Sequence, residues 1–146
     1  RDSMPQGSAN IVSDDSKGCS FAFSNLQRAL FADCNLSLAV FDRTELFGIE
    51  MRDCNLTGAK FTKVDFSRAL SRKQIETSAK FLGCKMDFVV LSEAKLPGCT
   101  FADSRLREAD LSGADLTDAE LMDCDGGAGF SHRRVTLMVL KAVGGR

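Results

Sequence analysis

Large apolar residues return every five positions along most of this chain. Stepping by fives from Phe21 meets Leu26, Phe31, Leu36, Phe41, Leu46, Met51, Leu56, Phe61 and Phe66. After Ser71 and Glu76 the series resumes with Phe81, Met86, Leu91, Leu96, Phe101, Leu106, Leu111, Leu116 and Leu121. Of these 21 positions, 19 hold Leu, Phe or Met, where an apolar content of 44% would place about nine by chance. A helix does not explain the pattern, because a step of five rotates each side chain by roughly 140° from the last. A flat strand does not either, since an odd step sends alternate residues to opposite faces. The period fits a chain that turns once per repeat, in the order in, out, in, out, out. Four corners of about a right angle close a square coil, and coils stack at about 4.8 Å.

A second inward column supports this reading. Two residues before each centre stand mostly small side chains, among them Cys19, Ala29, Cys34, Ala39, Cys54, Ala59, Ala79, Cys84, Ala94, Cys99, Ala109, Ala114, Ala119 and Cys124. A short side chain fits beside a large one in a narrow interior. All six cysteines fall in this column, so they read as small hydrophobes rather than a disulfide framework. No C-x-x-C pair suggests zinc. Free buried thiols fit a reducing compartment, and the expected location is cytoplasmic. Gly48, Gly58, Gly83, Gly98 and Gly113 hold the second position after a centre, where a corner calls for positive φ. Asn25, Asn35, Asn55, Asp65, Asp110 and Asp115 sit between the two inward residues. Their side chains should face solvent or bond local backbone.

The repeat A-[DN]-L-x-x resembles the pentapeptide-repeat superfamily, and the match runs from Cys19 to Cys124. The resemblance implies an all-β fold, a right-handed quadrilateral β-helix of about five coils. Phe21, Leu36, Phe41, Leu56, Phe61, Phe81, Phe101 and Leu111 would then be interior and Gly48 a structural corner. The stretch from Gly18 to Phe61, with the G-I-E-x-R-x-C segment at Gly48 to Cys54, is similar to the first half of Qnr-type quinolone-resistance proteins. That similarity continues to about Leu121. It implies a binding protein of DNA gyrase or topoisomerase IV that protects its partner from quinolones by imitating DNA. The alternatives are a generic pentapeptide-repeat interaction scaffold and an inactive fragment of a Qnr-like protein.

Two interruptions match places where Qnr-type proteins carry loops. The first is Ser13 to Gly18, where Asp14, Asp15, Ser16 and Lys17 become candidate partner contacts. The second is Ala69 to Lys80, with Arg72, Lys73, Gln74, Ile75 and Glu76. Ser71 and Glu76 stand where apolar centres belong and would cost several kcal/mol if buried unpaired. The chain is therefore expected to leave the coil there. The expected organisation is a disordered N-terminus over 1–8, a β-helix over 9–125 with loops near 13–18 and 69–80, and a C-terminal tail or cap over 126–146. The tail reads as a short capping helix. The resemblance implies a homodimer through a terminal helix, although the tail residues here depart from the family's.

Catalytic chemistry is sparse. The one histidine, His132, lies on a basic tail, and no nucleophile–base pair, phosphate loop or cofactor motif is visible. The chain reads as a non-enzyme without cofactor or metal. No stretch reads as a signal peptide, and the apolar run from Val135 to Val143 is too short to span a membrane. The net charge of −1 is unevenly spread. Residues 60–85 hold seven Lys and Arg against Asp65 and Glu76, while residues 103–125 hold eight Asp and Glu against Arg105 and Arg107. Trp and Tyr are absent, which disfavours direct nucleic-acid binding through stacking. The acidic block is either plain solvation or a charged rod that a phosphate-binding groove would attract.

Overall fold

Three repeats in four close with a β-turn whose centre carbonyl accepts from the N–H three residues on, as in Ala39 N to Leu36 O at 3.1 Å and Ala59 N to Leu56 O at 3.0 Å. At the fourth corner the carbonyl of Phe31, Met51, Phe81 or Phe101 accepts instead from a thiol or hydroxyl of the next coil. The second residue after the centre has positive φ at each corner from Ser13 to Lys63 and again from Gly83 to Gly113, as the type II turn requires. Glycine fills some of these corners, such as Gly58 and Gly83. Others hold Phe23, Leu38, Arg43, Lys63, Glu93 and Glu108, with φ between 57° and 66°. A left-handed conformation costs such residues on the order of 1 kcal/mol each. Phe23, Leu38, Lys63 and Glu93 donate their N–H into the next coil, for example Leu38 to Thr57 O at 2.9 Å and Lys63 to Ser92 O at 2.9 Å. Those bonds hold the strained corners in place.

Four corners complete a coil. The computed structural model describes residues 10–69, 75–77, 79–117, 119–122, 124 and 141–143. One wall of the coil is a seven-stranded parallel sheet in the order β1 (Asn10–Val12), β2 (Leu30–Ala32), β3 (Glu50–Arg52), β6 (Lys80–Leu82), β7 (Thr100–Ala102), β8 (Glu120–Met122) and β9 (Lys141–Val143). The other three walls pair through single parallel bridges, such as Asn35 to Asn55, Val40 to Lys60 and Lys95 to Asp115. We number the walls one to four in chain order, so that wall one is this sheet and wall two carries Leu36, wall three Phe41 and wall four Leu46. The result is the expected β-solenoid of about five coils.

The core is the double column read from the sequence. The centres from Leu26 to Leu116 are buried wherever they are described. Rings stack on wall three, Phe21 on Phe41 at 4.9 Å and Phe41 on Phe61 at 4.6 Å. On wall one Phe81 stacks on Phe101 at 5.1 Å. Phe21 is half-buried because the first coil has no described coil above it. Thr44 and Ser104 hold the small inward position, and each hydroxyl donates to a carbonyl of the coil before, Phe21 O at 2.9 Å and Phe81 O at 3.1 Å. The Asn and Asp positions bond locally as expected. Asn35 Oδ1 accepts from Ser37 N and Oγ, and Asn55 Oδ1 from Thr57 N and Oγ1. This explains why Asx precedes the centre and Ser or Thr follows it.

Three expectations change. Ser13 to Gly18 is not a projecting loop. Ser13 N donates to Ala32 O, Ser16 N to Asn35 O and Gly18 N to Ser37 O, each at 2.8 Å, so this segment is the first coil. Ser16 occupies a centre and is buried, and its hydroxyl donates to Asp14 Oδ2 at 2.7 Å, which satisfies the polar group. Asn10 to Val12 belongs to the same coil, so the register begins before Phe21. At the far end, Lys141–Val143 is not helical. It pairs in parallel with β8, Leu121 opposite Ala142, and satisfies an otherwise open strand edge. The remainder of 126–146, the N-terminus over 1–8 and His132 lie outside the described residues.

The register makes opposite predictions for neighbouring positions. Leu56 is fully buried, and Leu56→Asp should abolish cooperative thermal unfolding, because an unpaired charge replaces burial worth about 1.5–3 kcal/mol. Thr57→Asp, one residue on and facing out, should shift the melting temperature by only a few degrees. Equal losses in the two variants would contradict the register.

Candidate partner-binding surface

A solenoid this regular offers few places for specific recognition, so its one described departure from the repeat draws attention. Successive strands of wall one are 20 residues apart, as Phe31 is from Met51, but Met51 pairs with Phe81, 30 residues on. Ten extra residues therefore leave the coil at the corner between walls four and one. They emerge as an antiparallel pair, β4 (Ser67–Ala69) with β5 (Ile75–Thr77), in the register Ser67 to Thr77, Arg68 to Glu76 and Ala69 to Ile75. The polar residues at Ser71 and Glu76 break the inward column, and the chain leaves the coil there as expected. Of the second candidate set, Ile75 and Glu76 lie on β5, whereas Arg72, Lys73 and Gln74 lie outside the described residues. The coil resumes at Ala79, which is fully buried.

The first candidate set sits elsewhere. Asp15 bridges to Asn35 on wall two, while the insertion leaves between walls four and one. Asp15 and the strand that carries Ile75 and Glu76 therefore stand at different sides of the coil. Asp15 Oδ1 accepts from Lys17 N at 3.3 Å. These residues are ordinary repeat positions in the first coil.

Charge follows the walls rather than the sequence blocks. The acidic block after residue 103 does not form a stripe along the rod. Asp103 lies on the corner between walls one and two, Glu108 on the next corner, Asp110 on wall three, Asp115 on wall four and Glu120 on wall one, so the acids encircle the last coils. A lengthwise acidic line exists at the corner between walls one and two, with Asp33, Asp53 and Asp103 interrupted by Gly83. A Cβ on Gly83 would come within 2.5 Å of Asp53 Oδ1, so the Asp53 carboxylate lies against that glycine. A shallow groove beside this line is lined by Asp33, Asn35, Asp53, Asn55, Gly83 and Lys85.

Cysteines back that groove. Cys34, Cys54 and Cys84 hold the small inward position on successive coils, and their thiols donate to Ile11 O, Phe31 O and Met51 O at 3.3–3.4 Å. Burial pushes the Cys34 and Cys99 thiols up. Cys54 is raised first by its hydrogen bond with the Cys84 thiol and then by burial. All six cysteines are free; five are buried, and Cys19, in the first coil, is exposed. Among the described residues no group of three or more His, Cys, Asp and Glu could hold a metal ion, and no helix is long and apolar enough to cross a membrane.

Sequence reasoning missed one buried ring. Phe47 follows a centre and should point outward, yet it is buried, with the Arg28 guanidinium 5.3 Å from its ring centroid. The signal was an aromatic residue at an outward position beside a column that carries an arginine one coil before.

The thiols yield a test. A thiol reagent should modify Cys19 rapidly in the native protein and the other five only on unfolding. The hydrogen bond that raises Cys54 lowers Cys84, so the pH term of known sign comes from Cys34 and Cys99, both raised by burial. Below the ordinary thiol value of 9.0 both states are protonated. Above it the unfolded chain ionises first, so stability should fall as pH rises past 9. Rapid native labelling of all six, or stability unchanged well above pH 9, would contradict the burial.

The repeats match the family model for pentapeptide repeats, in eight copies over residues 19–58, 49–70 and 78–122. Over 83 residues the chain is 30% identical to "Pentapeptide repeat protein QnrB4" of Escherichia coli and to "Quinolone resistance pentapeptide repeat protein QnrB96" of Scandinavium goeteborgense. That stretch is 57% of this chain and 39% of either relative. Among solved structures, full-length QnrB1, described as a plasmid-mediated fluoroquinolone resistance protein, superposes with a TM-score of 0.50 at 18% identity, over 91% of this chain and 93% of that one. At that identity the superposition speaks to the fold alone. With an inward double column, a regular left-handed corner residue and a family model matched over most of its length, the chain belongs to the pentapeptide-repeat family, and within it is similar to Qnr-type proteins.

Proposed function

We propose that this chain is a non-catalytic binding protein that engages a type II topoisomerase, DNA gyrase or topoisomerase IV, in the bacterial cytoplasm and shields it from quinolones. The observation that carries this reading is the ten-residue insertion between Phe66 and Ala79. It projects from a solenoid whose corners are otherwise regular, on a chain similar to Qnr-type proteins. Loops on a rigid scaffold are common sites of recognition. The β4–β5 pair fixes the direction in which the insertion leaves the coil, and Arg72, Lys73, Gln74, Ile75 and Glu76 are its proposed contacts. The lengthwise acids Asp33, Asp53 and Asp103 support a secondary role for charge, because a groove that binds phosphates attracts such a line.

The register supplies a clean deletion. Removing residues 69–78 joins Phe66-Ser67-Arg68 to Ala79-Lys80-Phe81, which keeps a five-residue step between centres. The variant should melt within a few degrees of the parent. Supercoiling by purified gyrase in ciprofloxacin should be restored by the parent and not by the deletion variant. A folded deletion variant that protects fully would move the contact to the coil walls. A folded parent that never protects would defeat the topoisomerase reading and leave a general interaction scaffold.

A further inference from the structure

Phe47 breaks the outward rule of the repeat. It stands just after a centre, in the column of wall four that runs Gln27, Phe47, Ser67, Pro97 and Thr117. Among the described residues at this repeat position on any wall, Phe47 alone is buried. Val12 holds the same position on wall one and is 59% exposed, whereas Phe47 is 3% exposed. The interior beside it is already filled by Thr44 and Leu46. The ring is therefore covered from outside the coil.

Arg28 does not provide that cover alone. Its guanidinium lies 5.3 Å from the Phe47 centroid, and its N–H donates to Phe47 O at 2.7 Å. Arg43 lies almost as close to Phe23, at 5.6 Å, and Phe23 is still 77% exposed. A cation at that distance screens part of one ring face. One coil on, the column reaches Ser67, the first residue of β4, where the ten extra residues leave the coil. Two coils on, Pro97 is only half-buried, so the cover does not extend to that side. The insertion brings Leu70 and Ile75, apolar residues that neither inward column uses.

We infer that Phe47 is the seat of the insertion, which is laid back over wall four toward the first coil and closes the outer face of the ring. The β4–β5 pair needs such support. A two-stranded ribbon is marginal in water unless it packs against something apolar, and this one pairs over three residues on each strand. Rooted at the coil alone, it would swing about its two ends. Seated on Phe47, it holds one inclination and presents one face. Phe47 is thus a positioning residue for a partner contact, a role that rests on the function proposed above. The seat itself is independent of any topoisomerase.

The chain has no tryptophan, so Phe47→Trp places a single indole at the seat. In the full chain its emission should be that of a buried ring. In the same variant lacking residues 69–78, emission should move to the red and acrylamide should quench it several times more strongly. Unchanged emission and quenching would overturn the seat. Phe47→Ser should keep cooperative melting and speed hydrogen exchange at Ile75–Thr77 more than about tenfold, with wall two unchanged. Phe47→Leu should bring that exchange back to within about threefold of the parent. Exchange as slow in a folded Phe47→Ser as in the parent would also overturn the seat. With gyrase and ciprofloxacin, Phe47→Ser should need about tenfold more protein than the parent for equal protection. A freed insertion that protects as well as the parent would overturn the positioning role. A parent that never protects would defeat the topoisomerase reading and that role with it, while the indole still decides the seat.

Discussion

Everything in this molecule depends on each coil lying in register with the next. In the described walls, backbone N–H and C=O groups point along the rod and find partners one coil away. The bond from Phe41 N to Lys60 O is repeated from Phe61 N to Val90 O and from Leu91 N to Asp110 O, each at 2.8 Å. No coil can change its length without unmaking a wall. The corner residues accept a left-handed backbone because the alternative is a lost ladder. One residue in five then satisfies the turn, one fills the core and one packs beside it, and two are left outward. The repeat is the shortest sequence that meets all of these demands.

The same constraint decides where variation is tolerated. A chain that must keep its register can take in extra residues only by expelling them completely. The ten extra residues in the segment between Phe66 and Ala79 do this, for β3 and β6 pair as though the insertion were absent. Recognition can therefore reside in an expelled segment or in the outward residues, whose identity the core does not restrict.

Much of this was legible in the sequence because each inward demand has a residue signature. Leu, Phe and Met mark the centres, Ala and Cys the small column, and Asn or Asp the residue that caps the following N–H. Legibility failed where a polar residue found an internal partner. Ser16 occupies a centre because Asp14 accepts its hydroxyl proton, and the segment around it read as a loop. It failed again for Phe47, buried at an outward position with the Arg28 guanidinium over its ring, and for Lys141–Val143, where a free strand edge overrides helical composition. The candidate contacts were only partly legible. The departure of the chain near residue 69 was visible as two polar centres, but the separation of Asp14–Lys17 from Ile75 and Glu76 required the walls. So did the assignment of each outward residue to its wall, since residues that are neighbours there are 20 or 30 apart in sequence.

The central claim is that backbone bonding repeats every five residues, and amide hydrogen exchange resolved by residue reads it directly. In walls two to four the centre, the corner residue and the two residues before the next centre have N–H groups bonded to backbone carbonyls, as Leu56, Gly58, Ala59 and Lys60 do. The residue just after a centre bonds only an outward side chain, as Ser37, Thr57, Ser112 and Thr117 do. Protection should therefore fall once in every five residues, at Gln27, Ser37, Thr57, Thr62, Ser112 and Thr117, between stretches that exchange slowly. Protection in long continuous blocks, or with minima that do not recur every five residues, would contradict the coil.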